Sequence, residues 1–174
     1  MTSEDSELLN TRAIEFASTG EFFEAIACFQ RAIIIDSENY LLWYNLGITY
    51  RDSGDLERAK SALERAYWLS EDDEEVVETL AMICFTLEDF DEAFDYFSEG
   101  IDLNANNARC WNNLGVLYFN QGCFMEACDA FEEAVTLSPY YYDALFNLRD
   151  TYREMGNLGG ATECSRRLGE LRQY

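Results

Sequence analysis

The chain has 174 residues, and 34 acidic against 12 basic side chains give it a formal net charge of −22 at pH 7. This charge repels nucleic-acid phosphates and anionic lipid headgroups, so we expect no nucleic-acid partner and favour a basic protein partner. Solubility of an extended surface would explain the same charge, and the sequence leaves both interpretations open.

The first ten residues, MTSEDSELLN, are acidic and lack an apolar segment, so we expect neither a secretory signal nor a transit peptide. No stretch reaches the length of a membrane span, which predicts no membrane insertion. Six cysteines form no Cys-x-x-Cys pair, and the chain has no histidine. We therefore expect reduced thiols, a cytoplasmic location, no metal and no cofactor.

An internal repeat runs through the chain. An alanine recurs every 34 residues, at Ala25, Ala59, Ala93, Ala127 and Ala161, and the same interval relates Phe29, Leu63, Phe97 and Phe131. The clearest copy of the repeat is residues 108–141, in which the large, small and turn positions all match the repeating pattern. These positions are Trp111, Leu114, Gly115, Tyr118, Gly122, Ala127, Phe131, Ala134 and Pro139. A period of this length with this pattern is typical of tetratricopeptide repeats.

On these residues the chain resembles a tetratricopeptide-repeat protein across residues 6–174. The resemblance implies an all-α fold, a right-handed superhelical α-solenoid of antiparallel helix pairs with about ten helices. It also implies a surface that binds another protein, without naming the partner.

We predict an N-terminal tail, 1–5, and one domain, 6–174, in which the last repeat doubles as a polar cap. The five repeats are 6–39, 40–73, 74–107, 108–141 and 142–174. Glycine ends the first helix of every repeat except the third, where Glu88 takes its place. The fifth repeat has Arg149 at the small position and Ser165 at the phenylalanine position.

In proteins that this chain resembles, a stripe along the first helix of each repeat lines a concave groove. We call the corresponding residues the first-helix stripe and predict that they bind a partner. Its apolar members would hold apolar side chains, and its asparagines would bond the main chain of an extended peptide, although curvature could equally bury some of them. The first-helix stripe comprises Leu41, Tyr44, Asn45, Ile48, Met82, Phe85, Arg109, Asn112, Asn113, Val116, Phe119, Asn120, Phe146 and Asn147.

Members of the family that bind chaperone tails clamp a terminal carboxylate with basic residues at the second, fifth and sixth positions of successive repeats. At such positions this chain has Glu75 with Thr79 and Asp143 with Asn147, which leaves Arg109 as the basic residue. We therefore expect an apolar or basic segment instead of a chaperone tail.

Catalysis finds little support in the sequence. Without histidine, the usual Ser-His and Cys-His pairs cannot form, and no P-loop is present. We predict a non-catalytic interaction scaffold or adaptor. Two alternatives stay open: a self-assembling module that forms a homo-oligomer, and a dedicated chaperone for a secreted or membrane client.

Overall fold

The computed structural model describes residues 5–171, and that part of the chain contains ten α-helices and no strand. This confirms the all-α prediction. Residues 1–4 of the predicted tail and residues 172–174 of the predicted cap lie outside the described residues. The helices are α1 (Ser6–Ser18), α2 (Phe22–Ile35), α3 (Tyr40–Asp52), α4 (Leu56–Leu69), α5 (Glu74–Thr86), α6 (Phe90–Leu103), α7 (Ala108–Asn120), α8 (Phe124–Leu137), α9 (Tyr142–Glu154) and α10 (Leu158–Leu171).

The chain divides into two compact units, Met1–Asp89 and Phe90–Tyr174. Unit 1 contains α1 to α5, and unit 2 contains α6 to α10. The odd-numbered helices are the first helices of the repeats, and the even-numbered ones are the second helices. The single domain across residues 6–174 stays a prediction.

Local side chains fix where the helices begin. The Asn39 side chain accepts a hydrogen bond from the Leu41 amide at 3.2 Å, and Asp73 accepts from Val76 at 3.1 Å, which caps α3 and α5. Asp55 and Asn157 cap α4 and α10 in the same way. These caps satisfy amides that the first turn of a helix leaves without a partner.

The turn inside each repeat requires a left-handed residue. Gly54 has φ +86° and Gly122 has φ +76°, values that glycine adopts without a steric penalty. Glu88 occupies the same position in the third repeat with φ 65°. The next residue makes the same bond in each turn: the Asp55 amide donates to Tyr50 O and the Asp89 amide to Cys84 O, both at 2.9 Å.

The two helices of a repeat approach closely where a glycine faces a large side chain. A β-carbon on Gly47 would lie 2.7 Å from Leu63 Cγ, and one on Gly115 would lie 2.6 Å from Phe131 Cε1. In the fifth repeat the large residue, Arg149, is on the first helix and the small residue is on the second. The Arg149 guanidinium lies 4.1 Å from the centre of the Phe146 ring, and its Nε donates to Asp150 Oδ1 at 2.8 Å.

Two half-buried tryptophans form hydrogen bonds with the loops that precede their helices. Trp43 Nε1 donates to the Ser37 carbonyl, and Trp111 Nε1 donates to the Ala105 carbonyl, each at 2.9 Å. These side chains therefore both pack and order a loop. Among residues 5–171, no helix has the length and apolar character that crossing a membrane requires.

Candidate functional site

In unit 1 the first-helix stripe is apolar and partly open. Leu41 on α3 is 48% exposed and Met82 on α5 is 38% exposed. Tyr44, Ile48 and Phe85 are half-buried. Large apolar groups therefore remain accessible on α3 and α5.

Tyr44 links the two first helices α3 and α5. Its hydroxyl lies 3.5 Å from Thr79 Oγ1. Burial raises the pKa of the Tyr44 phenol, and the nearby Glu75 carboxylate raises it further, whereas the hydrogen bond with Thr79 lowers it. The neutral hydroxyl is therefore the stable form on this surface.

In unit 2 the first-helix stripe contains both polar and apolar side chains, and their exposure differs. Arg109 and Asn120 on α7 are exposed, whereas Val116 and Phe119 are half-buried. The Phe119 ring meets the Phe124 ring edge-on, with centres 5.3 Å apart. On α9, Phe146 is 39% exposed, and its ring stacks on Tyr142 with centres 6.4 Å apart.

The asparagines of the first-helix stripe pair with one another. Asn45 Nδ2 donates to Asn10 Oδ1 at 3.2 Å, and Asn147 Nδ2 donates to Asn112 Oδ1 at 3.0 Å. Asn112 Nδ2 in turn donates to Asn113 Oδ1 at 3.3 Å. Asn112 is only 5% exposed and its amide is already paired, so a peptide could bond to it only by displacing these hydrogen bonds. A binding role for Asn112 and for the rest of the stripe stays a prediction.

A second surface on unit 1 was not predicted from the sequence. Helices α2 and α4 border a groove of about 470 Å³ whose floor is α3, and we call it the second-helix groove. The 34-residue repeat contained a signal for this groove, because Ile34, which lines it, is apolar where the last three repeats have Asp102, Thr136 and Glu170. The groove is lined by Gln30, Ile33, Ile34, Trp43, Leu46, Tyr50, Arg58, Ser61 and Ala62.

Sequence profiles of known families match most of the chain. Profiles described as tetratricopeptide repeat match residues 108–141, 40–73 and 75–107, and one described as TPR repeat matches residues 15–54. The chain belongs to the tetratricopeptide-repeat family.

Two curated relatives illustrate the breadth of this family. The peroxisomal targeting signal receptor of Saccharomyces cerevisiae is 32% identical over 97 residues, which are 56% of this chain and 16% of that protein. Cilia- and flagella-associated protein 70 of Homo sapiens is 30% identical over 130 residues, 68% of this chain and 11% of that protein. This tetratricopeptide-repeat chain thus spans less than a fifth of the length of either relative.

Solved structures share the tetratricopeptide-repeat fold. A crystal structure of MamA matches with a TM-score of 0.87 at 23% identity, covering 92% of this chain and 94% of that one. A crystal structure of YrrB, described as a TPR protein with an unusual peptide-binding site, matches with a TM-score of 0.78 at 23% identity. That match covers 95% of this chain and 85% of YrrB. Likeness at this identity establishes the fold.

Polar side chains join α8 and α9 of this tetratricopeptide-repeat chain. Glu132 Oε1 accepts from the Tyr152 hydroxyl at 2.7 Å and from the Cys128 thiol at 3.4 Å. Burial, followed by the bond to Glu132, raises the pKa of the Cys128 thiol to about 12, and the same two causes raise the pKa of Tyr152. The thiol is therefore protonated near neutral pH and unreactive as a nucleophile. Within residues 5–171, no group of three or more Cys, Asp or Glu side chains is placed to hold a metal ion.

Proposed function

We propose that this chain is a non-catalytic scaffold or adaptor that binds a segment of another protein along the first-helix stripe. The observation that carries the proposal is the exposure of Leu41 and Met82 on the part of that stripe that lies in unit 1. Folded chains seldom leave several large apolar groups on one surface unless a partner covers them. Membership of the tetratricopeptide-repeat family and the peptide-binding site in the description of YrrB support it.

The bound segment is apolar with basic flanks. The apolar stripe residues supply contact area for large side chains. On the same helices Glu75 and Asp143 are exposed carboxylates, which attract lysine or arginine and disfavour an acidic segment. Six free cysteines fit a reducing compartment, so we place the chain in the cytoplasm as part of this proposal.

A displayed peptide library tests the proposal. Peptides selected on the natural chain would be measured against the double variant Met82→Ala with Phe146→Ala. The control double variant, Met125→Ala with Leu158→Ala, removes apolar side chains that are 71% and 73% exposed on the second helices α8 and α10. We expect the stripe variant to bind the selected peptides at least about tenfold more weakly, a loss of about 1.4 kcal/mol.

The two double variants separate binding at the stripe from nonspecific adhesion. Both retain the fully buried core, so circular dichroism should match the natural chain. Phe146→Ala also removes the ring that packs on Tyr142 and Arg149, so binding is measured well below the thermal midpoint of each variant. Equal losses in the two variants, or selected peptides rich in glutamate and aspartate, would contradict the proposal. Moderate dependence on salt is expected, because basic flanks add a screened electrostatic contribution to apolar binding.

Self-assembly is a second candidate, favoured by a cleft in unit 2 that is lined by both apolar and charged side chains. Tyr140 is 80% exposed beside a cavity of about 230 Å³, which Leu145 and Leu171 also line. Arg167 Nη2 donates to the Pro139 carbonyl at 2.6 Å at the same place. Light scattering over about a hundredfold dilution decides this candidate, because an assembly dissociates by mass action and a monomer keeps its mass.

A further inference from the structure

The second helices of the repeats differ sharply in charge. Helix α4 carries three basic and two acidic residues, and α2 carries one of each. In unit 2, α6 carries five acidic residues and α8 carries four, and neither has a basic one. Helices α2 and α4, which border the second-helix groove, therefore carry a net charge of +1 together, whereas α6 carries −5 and α8 carries −4.

The same surface is unusually apolar. Ile34, which lines the groove, is 83% exposed at a repeat position where unit 2 has Asp102 and Thr136. The floor of the groove contains Leu46 and Tyr50. Its volume of about 470 Å³ lies within the range of pockets that enclose ligand groups. An apolar groove with exposed edges of this kind is typical of a docking site.

Arginine is the charged residue at the edge of this groove. Arg58 lines it, with its guanidinium 4.8 Å from the centre of the Tyr50 ring and its Nε donating to Asp55 Oδ2 at 2.6 Å. Two turns further along α4, Arg65 lies 3.5 Å from Glu38. Exposed ion pairs of this kind contribute little, so a partner's carboxylate can replace Glu38 at small cost.

We propose that the second-helix groove is a further docking site, and that its occupant is an acidic amphipathic helix of another protein. The helix inserts large apolar side chains over Leu46 and Tyr50 and directs carboxylates toward Arg58 and Arg65. Apolar anchors three or four residues apart on one helix face suit such a groove. The site is independent of the first-helix stripe, for which we propose a partner of the opposite charge.

The probe is a labelled synthetic peptide of about four helical turns, with leucine and phenylalanine on one face and glutamate on the other. A matched peptide has lysine in place of every glutamate. Two groove variants are measured by fluorescence anisotropy: Ile34→Asp, which removes an exposed apolar edge, and Ser61→Glu, which adds a carboxylate to the lining. Thr136→Asp is the control, because it adds the same charge at the repeat position of Ile34 on α8.

We expect the glutamate peptide to bind the natural chain saturably and both groove variants at least about tenfold more weakly. The control Thr136→Asp and the stripe variant Met82→Ala with Phe146→Ala should bind it as the natural chain does. Absence of saturable binding, equal loss in the control, or tighter binding of the lysine peptide would overturn the proposal. A homodimer that forms in the natural chain and disappears in Ile34→Asp would also overturn it, since the occupant would then be a second copy.

Discussion

Gly115 occupies the closest approach between α7 and α8. Because a β-carbon there would lie 2.6 Å from Phe131 Cε1, Gly115→Val should destabilise the fold by about 1–3 kcal/mol in urea unfolding. Gly169→Ala is the control, because no atom lies within 4 Å of a β-carbon at Gly169 within α10. That change should be neutral or stabilising, since alanine favours a helix interior. Equal destabilisation by Gly115→Val and Gly169→Ala would show that the contact with Phe131 does not restrict position 115 to a small residue.

Glu88 holds a backbone conformation that glycine adopts in the other four repeats. Its φ of 65° costs a residue with a side chain about 1–2 kcal/mol, so Glu88→Gly should stabilise the chain by about 1 kcal/mol. The reciprocal change, Gly122→Ala, should destabilise by a similar amount because Gly122 has φ +76°. Chemical denaturation of both variants checks the pair. A loss of stability in Glu88→Gly would instead assign a stabilising role to the glutamate side chain.

Pairs of asparagines connect successive first helices at the scale of elements. Replacing Asn112 and Asn147 singly and together by alanine should give a coupling free energy of about 0.5–1.5 kcal/mol in a double-mutant cycle. The single change Asn112→Ala should also lower stability, because it leaves the Asn147 amide without its acceptor. Asn120→Ala serves as the control, since Asn120 is exposed at the end of α7. Strictly additive effects of the two substitutions would contradict the role of this bond.

The contact between α8 and α9 should make stability depend on pH above neutrality. Because the folded chain raises the pKa of the Cys128 thiol from 9.0 to about 12, it holds that proton more tightly than the unfolded chain does. The associated stability is complete below pH 9.0 and is lost as the pH rises toward about 12. The free energy of unfolding should fall over this interval, and less steeply in Cys128→Ala. An identical slope in the variant would show that the thiol does not contribute.

The sequence predicted the helices better than it predicted the contacts between their side chains. Turn glycines and polar caps such as Asp55 are local signals, so the ten helices could be anticipated from them. The pairing of Asn112 with Asn147 could not, because it joins residues 35 positions apart while the repeat is 34 long. A comparison within one repeat therefore places these amides on a shared stripe and misses that they bond to each other.

The second-helix groove was missed for a different reason. The expectation of binding followed the first helices, where the resemblance implied it. The apolar Ile34 was visible in the sequence, but its exposure depends on how α2 and α4 pack over α3. Periodicity can show that a position is apolar, whereas only packing shows whether a neighbour covers it.

At the scale of the whole molecule, the net charge of −22 should oppose folding at low ionic strength. Raising the salt concentration shortens the range of repulsion among carboxylates, because the Debye length falls from about 30 Å in 10 mM to about 6 Å in 300 mM sodium chloride. The thermal midpoint of unfolding should therefore rise by at least about 2 °C over this range. Sodium sulfate at equal ionic strength provides a comparison for specific ion effects. A constant or falling midpoint would contradict dominant self-repulsion.

The asparagine bonds have a consequence for how the chain could be shortened. Two of these bonds take their donor from one repeat and their acceptor from the preceding one, Asn45 with Asn10 and Asn147 with Asn112. A fragment cut between residues 39 and 40 or between residues 141 and 142 would keep every helix intact and still expose an amide that had been paired. The smallest piece that completes such a bond is two adjacent repeats, so cooperative unfolding should be shared between neighbours and not confined to one helix pair.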